Sequence, residues 1–137
     1  METIGENMVA ERLASLRDVM AGEGIDALFV PRADEYLGEY IPPHNERLRW
    51  ISGFTGSAGV AVILRETAAM FVDGRYTVQV QRQVDPGLFE HRHLVEEPHL
   101  DWLAARLQSG ARVACDPRLH SLAWFRDADA TLSSAGI

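Results

Sequence analysis

The sequence has little of several features that define whole classes of protein. It has a single cysteine, Cys115, among 137 residues, so an internal disulfide framework is excluded and a reducing, cytoplasmic compartment is expected. Its 13 Lys and Arg residues are outnumbered by 20 Asp and Glu residues, and the net charge of −7 is unfavourable for nucleic-acid binding. The longest apolar run, residues 58–64, is far too short to span a bilayer, and the acidic N-terminus is not a signal peptide. We therefore expect a soluble protein with no membrane partner.

What the sequence does contain indicates one α/β domain that occupies residues 1–137. Hydrophobic residues make up 47% of the chain, which is enough for a sizeable core. Apolar periodicity predicts alternating helices and strands, with a hairpin that makes the sheet mixed. The predicted helices span 7–21, 46–51, 75–84, 99–108 and 121–134, and the predicted strands span 27–30, 58–64, 68–72, 88–95 and 111–115. The core is expected to include Trp50, Phe54, Trp102, Trp124, Leu122, Phe125 and Leu132.

A glycine-rich segment, residues 53–59, precedes the second predicted strand. It reads Gly53-Phe54-Thr-Gly56-Ser57-Ala-Gly59. A phosphate-binding loop would follow a strand and open a helix, so the order here is wrong for nucleotide binding. Ser57 is equally misplaced for a nucleophile elbow, which also follows a strand. Two interpretations remain open: a tight structural turn, or a turn shaped to meet another domain.

The sequence Asp73-Gly74-Arg75-Tyr76 closes an apolar strand. A capping Asp followed by a glycine turn is a common structural device. However, Arg75 would then lie exposed at a strand–helix junction, where a planar guanidinium can clamp a carboxylate or a carbonyl. The segment therefore predicts either a helix cap alone or a cap that also presents a binding group.

The other chemically reactive residues do not form a complete catalytic or metal-binding set. His91 and His93 would share one face of a strand, but the nearby acids show no closed metal-ligand pattern, so a solvated strand face is favoured. The acids Glu35, Glu39 and Glu46 are interpreted as solvated or capping residues. Neither a nucleophile with a placed base nor a cofactor fingerprint is recognisable from the residues alone.

Two longer segments carry a family resemblance. Residues 46–59 and 68–76, together with Gln79, resemble the creatinase/prolidase N-terminal domain, and especially the first domain of the Xaa-Pro aminopeptidases, or aminopeptidase P. The resemblance covers Arg12 to Ile137, and the joint presence of GFTGSAG and DGRY points to the longer, three-domain aminopeptidases. Supporting segments in the family's order are 30–34, 39–43, 101–103 and 113–117.

The resemblance implies a fold and a parent activity. The fold would be a ribonuclease-H-like α/β domain with a mixed sheet of about six strands. The parent would be a homodimeric hydrolase that removes an N-terminal residue preceding proline. Its two divalent metal ions, expected to be manganese, would be held by two Asp, two Glu and one His in a C-terminal "pita-bread" domain. We expect that catalytic domain to be absent from residues 1–137, so this fragment alone is expected to be inactive and to hold no metal.

The resemblance also implies roles for named residues. Arg75 would contact the peptide substrate, and the domain would limit access to the active site. Asp73 and Gly74 would set the position of Arg75. The neighbouring loop would be shaped by Gly53, Phe54, Gly56, Ser57 and Gly59, with Tyr76 and Trp50 as support. Neither His91 nor His93 matches a family motif, so their roles are unassigned.

Two alternatives stay open at this point. The same fold resembles a peptidase-like domain of a eukaryotic histone chaperone, so the chain would then be a peptide- or protein-binding module whose acidic surface attracts basic partners. A third possibility is the N-terminal domain of a creatinase-type amidinohydrolase. The intact FTGSAG loop and the DGRY arginine favour the peptidase.

Overall fold

A computed structural model describes residues 2–33 and 46–137 of the chain, with side chains described from residue 8 onward. The elements alternate as the sequence predicts. The helices are α1 (Glu2–Glu23), α2 (Arg47–Ser52), α3 (Thr77–Gln83), α4 (His99–Arg106) and α5 (Leu122–Ser134). The strands are β1 (Ala27–Pro31), β2 (Val60–Leu64), β3 (Ala68–Val72), β4 (Glu90–His93) and β5 (Val113–Ala114). Short 3-10 helices at Gly74–Tyr76 and Pro117–Leu119 precede α3 and α5.

The strands form one mixed sheet in the order β4-β3-β2-β1-β5. The predicted hairpin is confirmed, because β2 and β3 pair antiparallel with Val60 opposite Phe71. The pairs β1–β5 and β3–β4 are parallel. The described residues contain five strands, so the count of about six is wrong by one for this part of the chain, whereas the mixed α/β architecture is confirmed.

Helices cover both faces of the sheet, which explains why β2 and β3 are apolar at every position. All five residues of each strand are buried. Alternate side chains enter opposite layers. Ala61, Ile63, Met70 and Val72 pack with α1, α2 and α3, while Val60, Val62, Ala69 and Phe71 pack with α4 and α5. No helix in the described part of the chain is both long and apolar enough to cross a membrane.

Three predicted core residues lie outside the core. The side chains of Trp50, Leu122 and Phe125 are 51%, 63% and 49% exposed, whereas Trp102 and Phe54 are buried as expected. In α5 the inward stripe follows a spacing of four residues through Trp124, Ala128 and Leu132, with Trp124 half-buried. Leu122 and Phe125 therefore lie beside the stripe, because a helix packed on one layer buries a narrow face.

The start of α4 carries a half-buried histidine in an aromatic environment. The ring centroid of His99 lies 5.6 Å from Phe29 and 5.9 Å from Phe71. Burial lowers the pKa of His99, and the neighbouring His120 adds to that shift. The charged imidazolium is thus disfavoured in the folded state relative to the unfolded state.

This environment predicts a pH dependence of folding. Since the folded pKa lies below the unfolded value of about 6.5, stability is lost as the pH falls through that value. His99→Phe keeps the ring contacts and removes the titration, so the fall in Tm between about pH 7.5 and about pH 5.5 should become smaller. Thermal unfolding of both proteins in matched buffers measures this difference. An unchanged fall would show that His99 does not contribute.

Candidate functional site

The 3-10 turn after β3 is organised by one carboxylate. The side chain of Asp73 accepts a hydrogen bond from the backbone N–H of Arg75 at 2.9 Å, and the Asp73 carbonyl accepts one from the backbone N–H of Tyr76 at 3.0 Å. This confirms the predicted helix cap. A capping Asp satisfies N–H groups that the first helical turn leaves without partners.

The same carboxylate holds the Arg75 side chain. Arg75 Nη2 donates to Asp73 Oδ2 at 2.8 Å, and Nε lies 3.2 Å from Oδ1 and 3.3 Å from Oδ2. These hydrogen bonds are the main reason that the pKa of Asp73 is lowered. The Arg75 side chain is nevertheless 68% exposed, and Nη1 makes no hydrogen bond to a described residue. A fixed, outward-facing guanidinium edge is the result.

The glycine-rich loop 53–59 is tied to α3. Gly53 ends α2 with φ at +85°, a conformation that favours glycine. The backbone N–H of Thr55 donates to Gln83 Oε1 at 2.9 Å, and Gln83 Nε2 donates to Thr55 Oγ1 at 2.7 Å. Gln79 Nε2 reaches the same hydroxyl at 3.1 Å. Gln83 is not among the residues that the sequence predicts for the site, although its position four residues after Gln79 places both side chains on one side of the helix.

The loop and the turn contact each other through Tyr76. Its hydroxyl is hydrogen-bonded to Ser57 Oγ, and this contact lowers the pKa of Tyr76. The Tyr76 ring packs edge-on against buried Phe54, with centroids 5.8 Å apart. The Arg75 guanidinium lies over the Tyr76 ring, 5.1 Å from its centroid. We call residues 53–59 and 73–76 together the loop–turn surface.

Glycine at position 56 is needed for this packing. A Cβ there would lie 2.3 Å from Phe54 Cζ and 2.9 Å from Tyr76 Cδ1, distances that no Cβ can occupy without a shift. Phe54 is only 1% exposed, so its ring has little space into which to move. The interpretation of the loop as a tight structural turn is thereby supported.

Trp50 stands apart from these contacts. Its ring lies under the guanidinium of Arg12, at 4.8 Å, and its carbonyl accepts a hydrogen bond from Arg12 Nη1 at 2.9 Å. Its described partner is therefore α1. The proposal that Trp50 shapes the site stays a prediction, while its expected burial is wrong.

The remaining chemically reactive residues do not lie together in one site. His91 Nε2 lies 2.9 Å from the Val84 carbonyl oxygen, and His93 Nδ1 faces the backbone of the next turn. Cys115 is half-buried, and burial raises the pKa of its thiol. Within residues 2–33 and 46–137, no group of three or more His, Cys, Asp or Glu residues could hold a metal ion. Glu35, Glu39 and His44 lie outside the described residues.

Comparison with known proteins gives a consistent match. The family model for the creatinase/prolidase N-terminal domain matches residues 12–137. Xaa-Pro aminopeptidase 2 of Homo sapiens is 37% identical over 123 residues, which cover 90% of this chain and 18% of that protein. Xaa-Pro aminopeptidase ApepP of Drosophila melanogaster is 43% identical over 114 residues, which cover 82% of this chain and 19% of that protein. The chain thus spans about a fifth of the length of these curated relatives.

Solved structures agree on the fold. An X-prolyl aminopeptidase from Caenorhabditis elegans, described as a cytosolic enzyme with a di-nuclear active site, superimposes with a TM-score of 0.83 at 28% identity. The match covers 93% of this chain and 23% of that chain. The N-terminal domain of a metallopeptidase from Corynebacterium diphtheriae superimposes with a TM-score of 0.61 at 22% identity, covering 94% of this chain and 89% of that chain. This second likeness shows the fold alone.

A pair of glycine substitutions tests the packing of the loop–turn surface. Gly56→Ala should lower the free energy of unfolding by about 1–3 kcal/mol, because its methyl group overpacks the site. Gly22→Ala is the matched control: an added Cβ in α1 meets nothing within 4 Å. It should stabilise the chain by about 0.5–1 kcal/mol, since glycine is unfavourable inside a helix. Urea unfolding of the two variants checks this, and equal stabilities would contradict the packing described.

Proposed function

Because the chain belongs to the creatinase/prolidase N-terminal domain family, we propose that residues 1–137 form the non-catalytic N-terminal domain of a metal-dependent Xaa-Pro aminopeptidase. The peptidases named above support this assignment, since each contains a region similar to most of this chain. The parent enzyme removes an N-terminal residue that precedes proline. This domain supplies a surface next to the active site and performs no bond cleavage itself.

The observation that carries the proposal is the fixed and exposed guanidinium of Arg75. Asp73 holds one edge of the guanidinium, while the side chain remains 68% exposed. A positioned guanidinium donates strong hydrogen bonds to carbonyl and carboxylate oxygens. Since its geometry is set before the peptide arrives, less side-chain freedom is lost on binding. Arg75 thereby orients the peptide and takes no part in bond cleavage.

The rigidity of the neighbouring loop supports a gating role. Thr55 is held by Gln79 and Gln83, and Phe54 is buried beneath Tyr76. A surface built in this way keeps its shape when a substrate approaches. The loop–turn surface limits access of large substrates to the active site and leaves room for short peptides.

The two divalent metals, manganese being expected, belong to the C-terminal catalytic domain. The described residues of this chain do not fit them, because no suitable group of ligands occurs among them. The metals supply the activated water for hydrolysis. The residues of this chain bind and orient the peptide. A cytosolic location is supported by the description of the Caenorhabditis elegans relative, and we expect the parent to be a homodimer.

Substitution of Arg75 in the full-length parent tests the proposed contact. Arg75→Ala should lower kcat/KM for Xaa-Pro peptides by about tenfold or more, because a charge-assisted hydrogen bond to substrate is lost. Arg82→Ala is the matched control. It removes an exposed arginine of α3 that lies outside the loop–turn surface, so it should leave kcat/KM unchanged. If Arg75→Ala behaves like this control, Arg75 does not contact the substrate.

The coding sequence beyond Ile137 separates the peptidase from a non-catalytic binding module. The net charge of −7 is the feature that favours a module with basic partners. For the peptidase we expect a continuation that carries the set of two Asp, two Glu and one His ligands. A continuation without those ligands would contradict the enzyme assignment and favour the module.

A further inference from the structure

His93 ends the strand next to the turn that carries Arg75. Strands β3 and β4 are parallel, with Val72 opposite His93, so both strands end at the same edge of the sheet. The Leu94 N–H donates to the Val72 carbonyl at 2.8 Å, which extends the pairing to the ends of the strands. In open α/β sheets, the carboxyl ends of neighbouring parallel strands are a favoured position for ligand groups.

The backbone fixes which ring nitrogen of His93 can accept a hydrogen bond. His93 Nδ1 lies 3.2 Å from the Val95 backbone N and 3.3 Å from the Glu96 backbone N. Both of these N–H groups are donors, so Nδ1 acts as the acceptor. In a neutral imidazole with Nδ1 as acceptor, Nε2 carries the proton and is a donor.

That donor faces the Asp73–Arg75 turn. His93 Nε2 lies 3.7 Å from the position that a Cβ on Gly74 would occupy, and glycine leaves this position empty. One edge of the sheet therefore presents two kinds of donor, a guanidinium and an imidazole N–H.

We propose that His93 is a second substrate-contacting residue of the loop–turn surface, whose Nε2–H donates to a backbone carbonyl oxygen of the peptide that Arg75 binds. The inference rests on the proposed function, which supplies the peptide. Its chemistry is the binding of an acceptor without proton transfer. The Nδ1 contacts are the positioning element, because they orient the ring and place Nε2 beside the Asp73–Arg75 turn.

Two substitutions of His93 separate the contact from the structural role of the ring. In the full-length parent, His93→Asn keeps an acceptor near the Nδ1 position and removes the Nε2 donor. We expect an unchanged Tm and a rise in KM for Xaa-Pro peptides of about three- to tenfold, the effect of one lost hydrogen bond. His93→Gln keeps a donor near the Nε2 position but loses the acceptor. We expect a lower Tm with kcat/KM within about twofold of the original protein.

The opposite pattern would overturn the inference. A His93→Asn enzyme with the original KM, or a His93→Gln enzyme that loses activity without losing stability, shows that the Nε2–H does not bind substrate. Because His93→Asn retains the backbone contacts, it remains informative even where His93→Gln does not fold.

Measuring Arg75→Ala in the same assays distinguishes the two proposals. A loss with Arg75→Ala and none with His93→Asn removes only the role of His93. No loss with either variant removes the substrate contact of the whole surface. A loss with His93→Asn alone supports the histidine contact and overturns the role assigned to Arg75.

Discussion

The carboxylate of Asp73 makes two kinds of contact at once, and the loop–turn surface depends on both. It caps the 3-10 turn by accepting the Arg75 backbone N–H, and it holds the Arg75 side chain through Nη2 and Nε. The cap sets the path of the chain into α3, and the side-chain contact sets the direction of the guanidinium. If the carboxylate were lost, Arg75 would keep its exposure but not its orientation. The turn and the guanidinium therefore depend on the same carboxylate. The predicted cap and the predicted exposure of Arg75 are confirmed, and the binding role of Arg75 stays a prediction.

The central hairpin explains why the loop and the turn meet. In an antiparallel pair the start of one strand adjoins the end of the other. Val60, the first residue of β2, faces Phe71 near the end of β3. Residues 53–59 enter β2 and residues 73–76 leave β3, so both must lie at one end of the hairpin. The hydrogen bond between Ser57 and Tyr76 and the edge-on contact between Phe54 and Tyr76 then fix the distance between the two segments.

Much of this arrangement was predictable from the sequence because it depends on local signals. The apolar runs of β2 and β3, the three-residue connection and the capping Asp predict the hairpin and its junction. The errors concern side chains whose burial depends on distant neighbours. Trp50 has the large apolar side chain typical of a core residue, yet it lies half-exposed at the surface, where its ring contacts Arg12 of α1. The prediction that His91 and His93 share one face does not distinguish their hydrogen bonds. His93 ends its strand, so its ring accepts N–H groups of the following turn.

The pairing of Arg75 with Asp73 also affects whether the loop–turn surface favours a carboxylate or a neutral carbonyl oxygen as its hydrogen-bond acceptor. The two groups together carry no net charge, so an approaching carboxylate would be attracted by one and repelled by the other. A neutral carbonyl oxygen accepts from the free edge of the guanidinium without that repulsion. The imidazole that accepts at Nδ1 likewise offers an N–H donor at Nε2. Backbone carbonyls occur in every peptide whatever its side chains, so donors of this kind hold a peptide by its main chain. Under the proposed function, such a surface would leave the choice of sequence, and of proline, to the catalytic domain.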